Sequence, residues 1–340
     1  MAIPFIQKKR IGAYLIGQLL MKRARFPLVL MLEPTFRCNL QCSGCGKISR
    51  PGEVLDRRLS IEDCIDAVAQ CPSPVVSIPG GEPLLLGDMP EIVSALVSRK
   101  KFIYLCTNGL LVEKRIEDFT PSPFLTFNIH VDGLRDRHDT LSGRTGVFDK
   151  AVSAIGLLRS KGFRVTTNTT LYRGETPERA VRLFDFLTSL GVEGMTVAPA
   201  FGYEKASSDP SAFLSRSEAA DLFDRIFRIG GEKRWPFNHS SRYLQFLAGH
   251  RSFRCTPWGT PTRNVFGWQR PCYLIEDGFA KTFRELMETT DWQAYGAGRD
   301  PRCTDCMVHC GHEPSAVLDS LIHPFAGRTF DSMPARRKTA

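Results

Sequence analysis

No stretch of this chain is both long and apolar enough to span a bilayer. The best candidate, Ile11 to Met21, holds eleven residues, about half of what a spanning helix needs. It runs straight into Lys22-Arg23-Ala24-Arg25, where a secretory signal would end on small residues and a cleavage site. Acidic residues are missing from 1–26 altogether, while Lys8, Lys9, Arg10, Lys22, Arg23 and Arg25 give that segment a charge of +6. Residues 326–340 add +3, from Arg328, Arg336, Arg337 and Lys338 against Asp331. The whole chain carries +9, so the body from 27 to 325 has no net charge. A nucleic-acid enzyme carries its basic surface on the folded body, and that class is set aside. Basic ends suit an anionic membrane surface instead. Residues 1–26 therefore read as a basic amphipathic helix that either docks on a membrane or closes one side of the fold, and 326–340 as a flexible basic tail. Internal repeats and low-complexity tracts are also absent. Without a secretory signal, eleven cysteines point to a reducing compartment and to metal ligation rather than disulfides. The expectation is a cytoplasmic protein, at most peripheral on the inner face of the membrane.

What the chain does have, from Pro27 to Pro199, is a regular alternation. Strands are predicted at Leu28–Leu32, Val75–Ile78, Phe102–Cys106, Phe124–Val131, Phe163–Thr169 and Gly194–Ala198. Between them lie helix-periodic stretches near Ile61–Gln70, Pro90–Ser98, Glu113–Phe119, Val147–Ser160 and Pro177–Leu190. Ser60, followed three residues later by Asp63, is an N-cap pattern for the first. Six β–α repeats imply a parallel α/β sheet with helical crossovers. A Ser-, Asp- and Pro-rich excursion from Phe201 to Phe213 then separates this region, 27–200, from a compositionally different one, 201–325. All four tryptophans, Trp235, Trp258, Trp268 and Trp292, fall in the second region. They would either form its core or wall an apolar pocket.

The most informative feature is Cys38-x3-Cys42-x2-Cys45, a loop placed directly after the apolar run Pro27 to Leu32. Three thiolates on one short loop can hold three irons of a [4Fe–4S] cluster and leave the fourth open to a small chelating molecule. Zinc loops favour paired C-x2-C units with four ligands, and no fourth ligand lies nearby. One β–α unit later comes Gly80-Gly81-Glu82-Pro83, whose glycines let backbone approach a ligand. In parallel β/α folds ligands bind at the carboxyl ends of strands. Thr107 and Asn108 follow the third strand, His130 and Asp132 close the fourth, and Asn168 ends the fifth.

The cysteine loop and the Gly-Gly-Glu-Pro strip together resemble the radical S-adenosylmethionine superfamily. Further runs, Leu30-Met31-Leu32-Glu33-Pro34, Tyr104-Leu105-Cys106-Thr107-Asn108, Cys255-Thr256-Pro257-Trp258-Gly259 and Gly267-Trp268-Gln269-Arg270-Pro271-Cys272-Tyr273, resemble its adenosylhopane synthase group from bacterial hopanoid biosynthesis. The resemblance implies a partial (β/α)6 TIM-like barrel with a small cysteine-rich C-terminal extension of twitch or SPASM type. It implies a [4Fe–4S] cluster on Cys38, Cys42 and Cys45, and S-adenosylmethionine bound by Gly80, Gly81, Glu82, Thr107, Asn108, His130, Asp132 and Asn168. The implied reaction adds a 5′-deoxyadenosyl radical to the terminal alkene of a hopene lipid, with Cys106 returning a hydrogen atom to the adduct. A reductase such as flavodoxin or ferredoxin would supply electrons. Cys64 and Cys71 read as structural.

A second cysteine set, Cys255, Cys272, Cys303, Cys306 and Cys310, would hold either an auxiliary [4Fe–4S] cluster or zinc with His309 or His312. Two other functions compete with lipid adenosylation. One is a hydrogen-abstracting dehydrogenase or peptide-modifying enzyme; the other is a metal-binding module without catalysis, which would not need the glycine strip.

Overall fold

The structure, a computed structural model, describes residues 3–203, 205–206, 210–231 and 233–323; the tail expected over 326–340 lies outside them. Six parallel strands are the frame: β1 (Val29–Leu32), β2 (Val75–Ile78), β3 (Phe102–Thr107), β4 (Leu125–His130), β5 (Arg164–Leu171) and β6 (Gly194–Pro199). Each pairs with its sequence neighbour in parallel. Alternation along the strands explains the layering. Leu105, Ile129 and Val165 are buried in one core with Ile92, Leu96, Ile155 and Leu158 of the crossover helices. On the other face stand Ser77, Tyr104, Cys106, Asn128, Thr166 and Asn168. The lumen is therefore polar, and the apolar contacts lie outside it, under the helices. The open α/β barrel expected from six repeats is what forms.

The helices Ile61–Gln70 and Val147–Ser160 fall where periodicity places them, the first with the Ser60–Asp63 capping box. The stretch Glu113–Phe119 is instead a short helix, Val112–Arg115, followed by a 3-10 turn, Ile116–Asp118. A helix at Arg135–Ser142 was not expected. β5 runs three residues beyond Asn168, so Asn168 lies inside the strand and not at its end.

The extension continues the same sheet. β7 (Thr262–Asn264) pairs in parallel with β1, and β8 (Gly267–Pro271) and β9 (Glu276–Ala280) follow antiparallel. The strand order is β6-β5-β4-β3-β2-β1-β7-β8-β9. At the other edge, the Met195 N–H donates to the Pro236 carbonyl (2.7 Å) and the Asn238 N–H to the Met195 carbonyl (2.8 Å). Both outer strands of the six-stranded barrel thus have a neighbour, β1 along β7 and β6 at Met195, so neither is left as a free edge. The tryptophans belong to the packing: Trp268 is fully buried against Phe283, Trp292 is buried, Trp235 meets Phe184 and Phe237, and Trp258 meets Phe26. None of the four lines the pocket that the second cysteine set shares.

The N-terminal helix, Phe5–Leu20, closes the amino end of the barrel. Gln7 Nε2 donates to the Tyr104 hydroxyl (3.1 Å) and Arg10 to the Lys100 carbonyl (3.1 Å), just before β3. Leu15 packs with Phe26 and Leu28 against Val317, Leu318 and Leu321 of the last helix, His309–Ile322. Among the described residues no helix is long and apolar enough to cross a membrane.

Candidate functional site

The cysteine loop leaves β1 at the carboxyl end of the barrel, and the strip at 80–82 leaves β2 beside it. The two are knitted together by backbone. The Gly81 N–H donates to the Thr35 carbonyl (2.9 Å) and the Glu82 N–H to the Arg37 carbonyl (2.8 Å), one residue before Cys38. A Cβ on Gly80 would stand 2.4 Å from the Thr35 carbonyl oxygen, and one on Gly81 would stand 2.0 Å from that of Arg37. The glycines are therefore needed for close approach to the chain that enters the cysteine loop, a requirement additional to any ligand. Gly80 also holds φ +111, a region side chains avoid.

Glu82, 1% exposed, has its carboxylate occupied from within. Oε1 accepts from Leu84 N–H (3.0 Å) and the Thr107 hydroxyl (2.8 Å), and Oε2 from Asn108 N–H (2.9 Å). Burial raises its pKa to about 6, against the lowering effect of these donors. Glu82 thus ties the β2 loop to the end of β3. Asn108 Nδ2 donates to Asn39 Oδ1 (2.7 Å), which carries the tie into the cysteine loop.

At the ends of β4 and β5, His130 Nε2 lies 2.6 Å from Asp132 Oδ2, and Asn168 Nδ2 lies 3.3 Å from His130 Nδ1. Asp132 accepts from Thr170 N–H (2.7 Å), and its own N–H donates to His138 Nδ1 (3.1 Å). Burial works to lower the His130 pKa, but the charge and hydrogen bond of Asp132 outweigh it and raise it. The expected set Thr107, Asn108, His130, Asp132 and Asn168 therefore forms two connected groups at one end of the barrel.

Cys38, Cys42 and Cys45 are each half-buried and free of disulfides. Burial raises Cys38 to about 11 and Cys42 further, so loading a metal here means displacing protons. Cys106 lies below this mouth on the lumen face. Its Sγ is 3.5 Å from Asn128 Nδ2 and 3.6 Å from the Ser77 hydroxyl. Burial raises its pKa, so the thiol is protonated near neutral pH. Cys64 and Cys71 are fully buried among apolar residues.

Several neighbours were missed. The Tyr203 hydroxyl accepts from Gly46 N–H (2.8 Å), and Tyr172 lies against Gly44, whose added Cβ would meet its ring at 3.0 Å. Both tyrosines follow strand ends, the position already used to select the others. Lys47 and Glu33 form an ion pair (3.1 Å), with 8% and none of their side chains exposed, and Lys47 Nζ sits 4.3 Å from the Tyr273 ring centre. Arg50 pairs with Glu276 of β9. These two pairs clamp the second half of the cysteine loop.

The second cysteine set does assemble. Cys255, Cys272, Cys303, Cys306 and Cys310 line one apolar pocket, with His312 on its wall. His309 is not among its lining residues; its ring stands 5.7 Å from that of His239. Among the described residues no three His, Cys, Asp or Glu side chains converge as ligands of a single metal ion. Thiolates of a [4Fe–4S] cube each take a different iron and stand further apart, and thiols are the donors such clusters use. Both cysteine sets fit that group by donor chemistry.

Residues 32–187 match the family model of the radical SAM superfamily, and residues 195–329 match a domain of unknown function, DUF3463. A Methanosarcina barkeri Fe-coproporphyrin III synthase is 29% identical over 216 residues, covering 61% of this chain and 53% of that protein. An Aquifex aeolicus GTP 3',8-cyclase is 28% identical over 51% of this chain and 57% of its own length, and a Mycolicibacterium smegmatis mycofactocin maturase is 31% identical over 40% and 36%. The chain spans about half the length of the curated relatives it matches. Among solved structures, Streptococcus suis SuiB bound to its precursor peptide superposes with a TM-score of 0.64 at 15% identity, over 87% of this chain and 73% of that one. Native anSMEcpe with bound AdoMet gives 0.57 at 17% identity, over 88% and 97%. Over residues 32–187 the barrel is thus similar to radical SAM domains. The cofactors of that superfamily are a [4Fe–4S] cluster and S-adenosylmethionine, as the sequence led us to expect.

Proposed function

We propose that the chain is a radical SAM enzyme that joins an adenosyl group to the terminal alkene of a hopene lipid through a new C–C bond. Cys38, Cys42 and Cys45 would hold the cluster, and the 80–82 backbone with the His130–Asp132–Asn168 group would orient S-adenosylmethionine. When bound, these cofactors supply a 5′-deoxyadenosyl radical at the cost of one electron, from a partner such as flavodoxin or ferredoxin. The observation that carries the reading is Cys106, a protonated thiol facing a polar lumen. Hydrogen abstraction needs no such donor. Addition does: the C–C bond forms at the terminal alkene carbon, and the tertiary carbon left with an odd electron takes the hydrogen atom of Cys106 S–H. One electron and one proton from the reductase system then restore the thiol.

A second reading, a peptide-modifying enzyme working by hydrogen abstraction, is supported by the mycofactocin maturase and by SuiB in complex with its peptide. Mass spectrometry separates the two. Anaerobically reconstituted protein with hopene should yield a saturated adduct retaining the adenosyl group. Cys106→Ala should still cleave S-adenosylmethionine while that product falls. Free 5′-deoxyadenosine without adduct would sink the lipid reading, and wild-type product from Cys106→Ala would place the donor elsewhere.

A further inference from the structure

The N-terminal helix faces the wrong way for an ordinary amphipathic helix. Its buried side chains include Gln7 and Gln18, with Leu15 between them. Phe5, Ile16, Leu19 and Leu20 recur at 11, 14 and 15 residues from the first, and so share the opposite face at 100° per residue. They stand in water, Phe5 81% and Leu20 79% exposed. Eight large apolar side chains are exposed among the described residues, and six of them lie between Phe5 and Met21. The patch is therefore one feature and not scatter over the surface. Lys9 lies on the same stripe, and Lys22, Arg23 and Arg25 follow it, all exposed. No acid occurs anywhere in residues 1–26.

We infer that this helix docks the protein on the surface of an anionic bilayer. The apolar stripe would enter the headgroup boundary, with the basic residues set against lipid phosphates. Charge selects this occupant over a second copy of the chain, because apposed helices would bring two strongly basic segments together. The buried face is committed to Tyr104 and the last helix, so docking leaves the fold unchanged. It does so at the amino end of the barrel, opposite the cysteine loop. The inference stands whatever reaction the barrel performs.

The test is co-sedimentation of the full chain with vesicles of phosphatidylcholine containing phosphatidylglycerol, against phosphatidylcholine alone. Wild-type protein should bind the anionic vesicles, bind neutral ones far more weakly, and release with salt. Neutralising one basic residue should weaken binding roughly fivefold, and Lys22→Glu with Arg23→Glu by more than the product of two such steps. Leu20→Glu should abolish binding while leaving the circular-dichroism melt unchanged, since Leu20 touches little. No binding by wild type, equal binding to neutral vesicles, or full binding by Leu20→Glu would each overturn the inference. So would a dimer in analytical ultracentrifugation that Leu20→Glu splits, which would assign the face to self-association.

Discussion

Gly81→Ala should unfold the entrance to the cysteine loop without touching a ligand. The added Cβ would sit 2.0 Å from the Arg37 carbonyl oxygen and 2.5 Å from that of Phe36. Both are backbone atoms, so neither can rotate aside. Relief requires residues 35–37 to move away, which breaks the Gly81–Thr35 and Glu82–Arg37 hydrogen bonds. Overpacking of this kind costs about 1–3 kcal/mol and each lost backbone bond about 1 kcal/mol, together about 3–5 kcal/mol. That is a large part of the stability of an ordinary domain. Gly156→Ala is the matched control: it lies on the exposed face of the helix Val147–Ser160, with nothing within 4 Å of the new Cβ. The same methyl should stabilise there, by about 0.5–1 kcal/mol. Urea titration of the metal-free proteins measures both effects, and iron content after anaerobic reconstitution reads the consequence at Cys38. If Gly81→Ala matches wild type in midpoint and in iron, the close approach of the strip to residues 35–37 is not what the glycine serves.

Replacing Cys38, Cys42 and Cys45 together by Ala should abolish S-adenosylmethionine cleavage yet leave about four irons and four sulfides per chain, held by the second cysteine set; zinc in their place would refute the auxiliary cluster. His138 should make the fold acid-sensitive. Burial, and then the charge of His130, lower its pKa to about 4 from an ordinary 6.5, so the folded state favours the neutral ring. Its contribution is complete above pH 6.5 and is lost as pH falls from there toward 4, by about 3 kcal/mol in all. His138→Asn, whose amide oxygen can still accept from Asp132 N–H, should show a flatter dependence of the urea midpoint on pH; an unchanged slope would count against the buried neutral imidazole.

Much of the barrel was legible because its strands are short apolar runs and its helices keep a clean period. Arg135–Ser142 escaped notice because Arg-Asp-Arg-His-Asp-Thr-Leu-Ser has almost no apolar face; only His138, Leu141 and Ser142 are buried. β7 to β9 escaped because they are three to five residues long and carry Arg263, Asn264, Gln269 and Glu276. The cysteine loop, the glycine strip and the strand-end polar residues were read from spacing, from their place after the strands and from the resemblance to radical S-adenosylmethionine enzymes. What spacing could not give is partnership. Glu82 was expected among the S-adenosylmethionine contacts, and the sequence gives no sign that its carboxylate also takes three donors from within the protein. The Lys47–Glu33 pair is invisible in sequence, since only the turn of the loop brings together residues that lie fourteen apart.

The extension then has a role that its composition did not announce. Gln269 Nε2 donates to the carbonyls of Cys272 (2.8 Å), Tyr273 (3.2 Å) and Ile275 (3.1 Å), which shapes the chain just after β8. That bend points Cys272 into the second cysteine pocket and sets the neighbouring Tyr273 ring beside Lys47 in the first loop. Arg50, three residues further along the same loop, is held by Glu276 at the start of β9. A buried pair that loses one partner leaves an uncompensated charge and costs about 3–5 kcal/mol, so neither clamp can slip cheaply. The three-stranded addition to β1 therefore joins the two cysteine sets through one turn, and residues 262–280 hold the second half of the loop that carries Cys38, Cys42 and Cys45.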